Sequence, residues 1–223
     1  MGSINGCAKP GEQIIVSGMR RVPALYDVEK RVLDIIICLP LVLILLPLLP
    51  VLALAIKLDS PGPVFHRRKV VGKGRKAFIA YKLRTMVEGA ESLICEDEEE
   101  RGEFEENHKL RCDKRITRVG KILRKTSVDE LPQLMNVLLG QMSLVGPRMI
   151  SFPEIEKFGI YHEKILSVKP GITGLWQVSG RSKLSYEDRV RLNVYYVDHR
   201  SIWMDIKILL KTIPAVLTAN GAY

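Results

Sequence analysis

The stretch IIICLPLVLILLPLLPVLALAI, Ile35 to Ile56, carries no charged residue. As one straight helix it would measure about 33 Å, enough to cross the hydrocarbon core of a bilayer. Two features argue for a different path. Pro40, Pro47 and Pro50 fall inside the run, and each interior proline removes a helical hydrogen bond and bends the helix. Both flanks are basic, with Arg20, Arg21, Lys30 and Arg31 before the run and Lys57, Arg67, Arg68 and Lys69 after it. Positive charge marks the cytoplasmic side of a membrane segment, so both ends are best satisfied on that side. A helix broken at Pro47, entering one leaflet and leaving again, meets that requirement, and a spanning helix is the alternative. Ala53-Leu54-Ala55 resembles a signal-peptide cleavage site, but the run is too long for such a peptide and starts too far from Met1.

Around this segment the chain has 223 residues and a formal net charge of +9. The length suits one domain with a membrane segment added. The charge points to an anionic partner, whether anionic lipid, phosphorylated substrate or nucleic acid. Nucleic acid is the weakest of these, because aromatics are few and no Arg-rich stretch is interleaved with them. Cys7, Cys38, Cys95 and Cys112 show no CxxC spacing, which argues against a disulfide framework or a zinc site. His66, His108, His162 and His199 never recur at i, i+4, so a local histidine metal site has no support.

Residues 1–27 read as a loose arm, 28–58 as the membrane helix and 59–223 as the remaining domain. Lys57 to Pro63 is a turn leaving the membrane. Val64–Val71 and Lys76–Arg84 are strand-like, and Gly72-Lys73-Gly74-Arg75 between them makes a β-hairpin turn. Gly72-Lys73-Gly74 lacks the length and following helix of a phosphate-binding P-loop. Val87–Asn107 reads as a helix holding the acidic run Glu96 to Glu100, a solvated face. Ile116–Arg124 is amphipathic, with Ile116, Val119, Ile122 and Leu123 on one side. Leu131–Leu139 and Glu187–Tyr196 are further helices. Near the C-terminus Trp203, Ile206, Leu209, Leu210, Ile213 and Leu217 share one helical face opposite Lys207 and Lys211, placing that helix in the core or in a membrane interface. The expected class is α+β: a helix-rich unit with a β-hairpin behind a re-entrant membrane helix.

The sharpest local feature is Arg124-Lys125-Thr126-Ser127-Val128-Asp129-Glu130-Leu131-Pro132-Gln133. Two adjacent carboxylates open an apolar helix directly behind two cations. Ser127 and Glu130 have the S-x-x-E spacing of a capping box, and acidic residues in a first turn complement the helix dipole. Capping leaves the surrounding cations unexplained. In a functional reading, the helix start and the nearby Arg side chains depress both carboxylate pKa values and keep them ionised. An ionised Asp can attack phosphorus to form an acyl phosphate, and its Glu neighbour can hold Mg²⁺ on a diphosphate. Further cations recur at turn motifs: Lys82-Leu83-Arg84-Thr85-Met86 ends a strand, Ser143-Leu144-Val145-Gly146-Pro147-Arg148 ends an apolar stretch in a tight turn, and the Gly-rich run Lys169 to Arg181 ends in Arg. Arg suits bidentate phosphate contact.

Taken in order, Lys30-Arg31 with Asp34, the proline-interrupted apolar run, Ser60-Pro61-Gly62-Pro63, Lys82 to Met86, Thr126 to Gln133, Ser143 to Arg148 and Lys169 to Arg181 resemble the monotopic phosphoglycosyl transferases. This is the bacterial sugar transferase family that primes glycan assembly. The resemblance runs from about Lys30 to Tyr223. It implies a catalytic domain resting on the cytoplasmic face of the bacterial inner membrane. It also implies a UDP-sugar donor and a polyprenyl (undecaprenyl) phosphate acceptor. Asp129 would be the nucleophile that takes the sugar phosphate and expels UMP, and Glu130 would hold Mg²⁺. Arg124, Arg148 and Arg181 fall where the family's phosphate-binding cations lie, with Lys82, Arg84 and Gln177 as further substrate-binding candidates. No nucleic-acid partner is expected, and a homo-oligomer is allowed. Leu46-Pro47 stands where the family often has Ser-Pro, and His66-Arg67-Arg68 replaces its usual run before the hairpin turn. Gly221-Ala222-Tyr223 is similar to members that transfer galactose or glucose phosphate. The rival readings are a non-catalytic membrane-anchored basic module that binds anionic polymers, and a hydrolase that sends water to the same covalent intermediate.

Overall fold

The structure, a computed structural model, describes residues 25–90, 113–181 and 184–218. Most of the N-terminal arm, most of the expected helix at Val87–Asn107 with its acidic run, and Gly221-Ala222-Tyr223 lie outside the described residues.

The apolar run forms a single helix, α1 (Tyr26–Asp59), that continues through Pro40, Pro47 and Pro50. The expected break at Pro47 is not there. Each proline removes one hydrogen bond from the ladder, while the bonds before and after it hold the helical path. Among its many apolar residues, one narrow stripe is buried: Tyr26, Asp34, Cys38, Val42, Leu45 and Ile56. Leu49 and Leu52 extend that stripe, packed against the core. From Asp34 onward the steps are three or four residues, the repeat of one helical face. The other face, including Ile36, Leu43, Ile44, Val51 and Leu54, is exposed. By length and composition α1 is able to cross a membrane.

Both ends of α1 are tied to the rest of the molecule. Arg31 donates to the carbonyls of Val137 and Leu138, each at 2.6 Å. Asp34 accepts from Ser143 Oγ and Leu144 N, each at 3.0 Å. Lys30 pairs at 2.7 Å with Asp205, a fully buried carboxylate that also accepts from Tyr26 and Tyr196. At the far end Arg84 donates to the carbonyls of Ile56, Ser60 and Pro61. Asp59 Oδ2 accepts from Val119 N at 2.8 Å.

The hairpin follows expectation. β1 (Phe65–Val71) pairs antiparallel with β2 (Ala77–Leu83), with Arg67 opposite Tyr81 and His66 opposite Lys82. The turn is closed by Gly74 and Arg75, both at positive φ. Val87 does not begin a helix: its N–H bonds to Arg115 O, and Gly89 takes φ +73° two residues later. Thr117 caps α2 (Arg118–Thr126) through Gly120 N, and the expected helix over Leu131–Leu139 is a 3₁₀ turn, Val128–Gln133, followed by α3 (Leu134–Leu138). Pro132 explains the split, since a proline supplies no N–H to an α ladder.

A small parallel sheet escaped the sequence reading. β3 (Ser143–Val145) pairs with β4 (Gly171–Thr173). Strands of three residues carry too little alternation to detect. Between them lies α4 (His162–Leu166). After β4 come α5 (Leu175–Ser179), α6 (Tyr186–His199) and α7 (Ile202–Leu217). In α7 the core side is Asp205 and Ile208 with Met204 and Leu209 beside them. Trp203, Leu210, Ile213 and Leu217 form a stripe that stays exposed. Of the two placements expected for this face, the core is therefore excluded for these four residues. The main core joins α1, the hairpin, α3, β3 and residues of α6 and α7, which makes the described protein an α+β unit.

Candidate active site

The acidic pair owes its position to Ser127. This residue ends α2 in the left-handed region, at φ 57° and ψ 18°, so the chain turns sharply into the 3₁₀ segment that carries Asp129 and Glu130. The expected capping box is absent. The Ser127 side chain caps nothing, and Glu130 contacts its backbone only through N–H to Ser127 O at 3.3 Å. The Glu130 carboxylate instead accepts from Lys82 Nζ at 2.5 Å. A capping box is built elsewhere, by Ser151 and Glu154.

Lys82 sits near the end of β2, and β2 packs on the 3₁₀ turn. Asn136 of the following helix α3 ties down β2, donating to Ile79 O at 2.7 Å and accepting from Tyr81 N at 3.4 Å. Arg124 enters from the last turn of α2, its Nε donating to Thr85 Oγ1 at 2.9 Å. Behind it stands the buried pair Asp113 and Arg115, joined by bonds of 2.7 and 2.6 Å. Arg148 and Arg181 arrive from the two Gly-rich motifs, and both act electrostatically on Glu130.

Glycine is required where these two motifs meet. A Cβ on Gly146 would fall 2.6 Å from Lys169 O and 2.7 Å from Gly171 N, and one on Gly171 would overlap the Gly146 backbone. The loops pack backbone to backbone, with Arg148 bridged to Gly171, and only residues without a side chain permit that approach.

The two carboxylates are driven apart. Asp129 is 8% exposed. Burial pushes its carboxyl up to about 6; Lys82 opposes, Glu130 adds to the rise and Arg124 opposes. The sequence reading expected depressed values for both groups. It missed that desolvation outweighs the cations at Asp129. For Glu130 burial is again the largest influence, but Lys82, Arg148 and Arg181 together overcome it and hold the group below the usual range. One carboxylate is thus a weaker base than usual and the other a stronger one, the separation of roles expected where two acids share a site. No other side chain hydrogen-bonds Asp129 among the described residues; its own backbone N–H is the group that bonds to the carboxylate.

Among the described residues no three His, Cys, Asp or Glu side chains converge. The pair alone is a donor set that fits Mg²⁺, which keeps waters and takes substrate phosphate oxygens beside one or two carboxylates. Lys82 engages Glu130 Oε1, and among the described residues Oε2 accepts no hydrogen bond, which makes it the oxygen that could hold the ion.

Of the residues anticipated for the site, Asp129, Glu130, Lys82, Arg124, Arg148 and Arg181 are brought together. Arg84 is not. Its guanidinium donates through both terminal nitrogens to the carbonyls of Ile56, Ser60 and Pro61 at the end of α1. Gln177 donates to Ile172 O at 2.9 Å, and its carbonyl accepts from Arg181 Nε at 3.3 Å. It steadies the loop that presents Arg181. Thr85, which orients Arg124, and Trp176, which lies under Arg148, were missed as site residues although both stand inside motifs already singled out.

A family described as bacterial sugar transferase matches residues 25–219. The chain belongs to the bacterial sugar transferase family. The match covers the site and the helix that carries it. The chain is 45% identical over 198 residues to the UDP-galactose-lipid carrier transferase of Erwinia amylovora, covering 87% of this chain and 41% of that protein. Against the exopolysaccharide production protein ExoY of Sinorhizobium fredii it is 38% identical over 200 residues, 88% of each. Against the UDP-glucose:undecaprenyl-phosphate glucose-1-phosphate transferase of Caulobacter vibrioides it is 40% identical over 209 residues, 88% of this chain and 73% of that protein. The chain therefore spans well under half of the Erwinia relative and nearly the whole of ExoY.

Proposed function

We propose that this bacterial sugar transferase moves a sugar 1-phosphate from a UDP-sugar to polyprenyl phosphate through a covalent intermediate on Asp129. The observation that carries the reading is a buried carboxylate raised to about 6 next to one held low by Lys82, Arg148 and Arg181. In the first step an Asp129 oxygen attacks the sugar-linked phosphorus. The bond from that phosphorus to the bridging oxygen breaks, and UMP leaves with the bridging oxygen and its electron pair. In the second step a phosphate oxygen of the polyprenyl acceptor attacks the same phosphorus. The acyl phosphate bond breaks, Asp129 recovers its carboxylate, and the product is a polyprenyl diphosphate sugar. Arg124, Arg148 and Arg181 offset the charge of donor and acceptor. Mg²⁺ held by Glu130 would supply further neutralisation of the diphosphate.

A polyprenyl acceptor requires a site at a membrane. The outward apolar face of α1 and the exposed stripe of α7 supply a surface for the cytoplasmic leaflet, and the basic flanks of α1 suit its anionic lipids. The galactose and glucose in the names of the relatives favour a hexose donor, and the exopolysaccharide role in the name of ExoY suits the first membrane step of glycan assembly.

The test is a screen of UDP-sugars for UMP release by protein in nanodiscs with Mg²⁺, first without lipid. A stoichiometric burst with the correct sugar is expected, followed by turnover when polyprenyl phosphate is added. Asp129→Asn should remove both. Full turnover by Asp129→Asn would overturn the nucleophile, and sugar phosphate appearing in water rather than on lipid would make the protein a hydrolase.

A further inference from the structure

Trp176 lies in the first turn of α5, 5% exposed. Two cations share its ring: Arg148 Cζ lies 5.5 Å from the centroid and Arg189 Cζ 5.3 Å. A guanidinium over an indole is attractive, but two like charges at one ring repel. Burial and then Arg148 hold the Arg189 guanidinium below its usual range. Arg148 is exposed, and among the described residues it donates to no protein acceptor, so its stacking on Trp176 is what orients its N–H groups. Arg189 comes from α6, the first helix after the motifs that frame the acidic pair, and its Nε donates to Leu184 O at 3.1 Å. The guanidinium pair extends the cationic side of the site outward from Glu130 through Arg148, which also acts on the Glu154 carboxylate, and it offers a phosphate two forked donors side by side.

We propose that Arg148 and Arg189, held on Trp176, form a phosphate subsite in which Arg189 is a further binding residue and Trp176 a positioning residue. The inference rests on the reaction proposed above for its two sources of phosphate. In-line displacement makes UMP depart opposite Asp129, and the acceptor must then attack from the side UMP has vacated. One cradle therefore receives the phosphate of UMP and afterwards that of the lipid.

The experiment is a binding titration on the full chain in nanodiscs. Trp203→Phe leaves Trp176 as the sole indole of the two in the chain. UMP should change its emission saturably, and uridine should not. Arg189→Gln should weaken UMP at least about tenfold with an unchanged melting midpoint, and Arg189→Lys should recover part of the loss. If polyprenyl phosphate displaces UMP, both phosphates use the cradle; if only UMP binds there, it serves the donor side alone. Equal UMP affinity in Arg189→Gln, equal binding of uridine and UMP, or no response to either phosphate ligand would overturn the subsite. Should Arg189→Gln fail to fold, Arg189→Lys carries the test: the loss of bidentate contact should weaken UMP about threefold or more, and parental affinity would refute it. The readout is binding, so failure of UMP release from UDP-sugars would sink the transfer reaction and leave this result to stand or fall alone.

Discussion

At Asp129 reactivity and stability pull in opposite directions. Its carboxyl lies at about 6 in the folded protein against an ordinary 3.8. The folded state binds the proton more tightly than the unfolded one, so ionising this group destabilises the fold. The penalty is absent below about pH 4 and complete above about pH 6, where linkage sets it at no more than about 3 kcal/mol. Asp129→Asn should therefore inactivate the protein and raise its melting temperature by several degrees at pH 7.5. Melting curves at pH 4 should show no such gain, and equal melting at both pH values would contradict the assignment. In the proposed reaction the deprotonated form attacks phosphorus, so donor kcat/KM should climb about tenfold per pH unit up to about pH 6 and then level. Lys82 lowers the Asp129 value; Lys82→Met should move that acid limb to higher pH, and a pH-rate profile measures it. The identity of the pair and of most cations around it was legible in the sequence, because Asp-Glu and the Arg-bearing turns are local patterns. The sign of the Asp129 shift was not, because burial is set by side chains distant in the chain.

At the scale of elements, two backbone positions hold the site together. Ser127 keeps φ 57° without a side-chain hydrogen bond, a conformation that costs a non-glycine residue about 1–2 kcal/mol. Ser127→Gly should leave stability unchanged or slightly raised, and Ser127→Val should lower both stability and UMP release; urea titration with an activity assay separates them. Gly171 touches the Gly146 backbone, so Gly171→Ala forces β3 and β4 apart. Overpacking of this kind costs about 1–3 kcal/mol, and it displaces Arg148 and Arg181 together. The expected result is a lower melting point with a raised KM for the UDP-sugar, and an unchanged KM would mean that the loops present no phosphate-binding cation. The hairpin, α2, α6 and α7 were readable because each has several residues of clear period. The split of the expected Leu131–Leu139 helix and the β3–β4 sheet were not, since three-residue strands and a 3₁₀ turn leave no period to read. The missing capping box shows the same limit: S-x-x-E fits two local structures, and Lys82, 48 residues away in sequence, decides between them.

The whole molecule bears on how α1 meets a bilayer. Its first turns are bound through Lys30, Arg31 and Asp34 to Asp205, α3 and β3, and its last turn through Arg84 and Asp59 to the end of β2 and the start of α2. Between those ends Cys38, Val42 and Leu45 lie in the main core. The sequence showed a uniform apolar run, in which no period marks the stripe that packs on the protein, so spanning and returning paths stayed open. A hydrocarbon core is about 30 Å thick; because both ends of α1 are fastened to one body, we expect both ends on the same side of it. Arg84 makes this consequential for chemistry. It grips the end of α1 two residues after Lys82, so the point where the helix meets the domain is tied to the strand that holds Glu130. Single cysteines at Glu29 and Arg67, both exposed, should be protected from a membrane-impermeant maleimide in intact cells and should both react once the inner face is opened. Labelling of one from outside and the other from inside would restore a spanning helix, and with it would go the contacts of either Arg31 or Arg84.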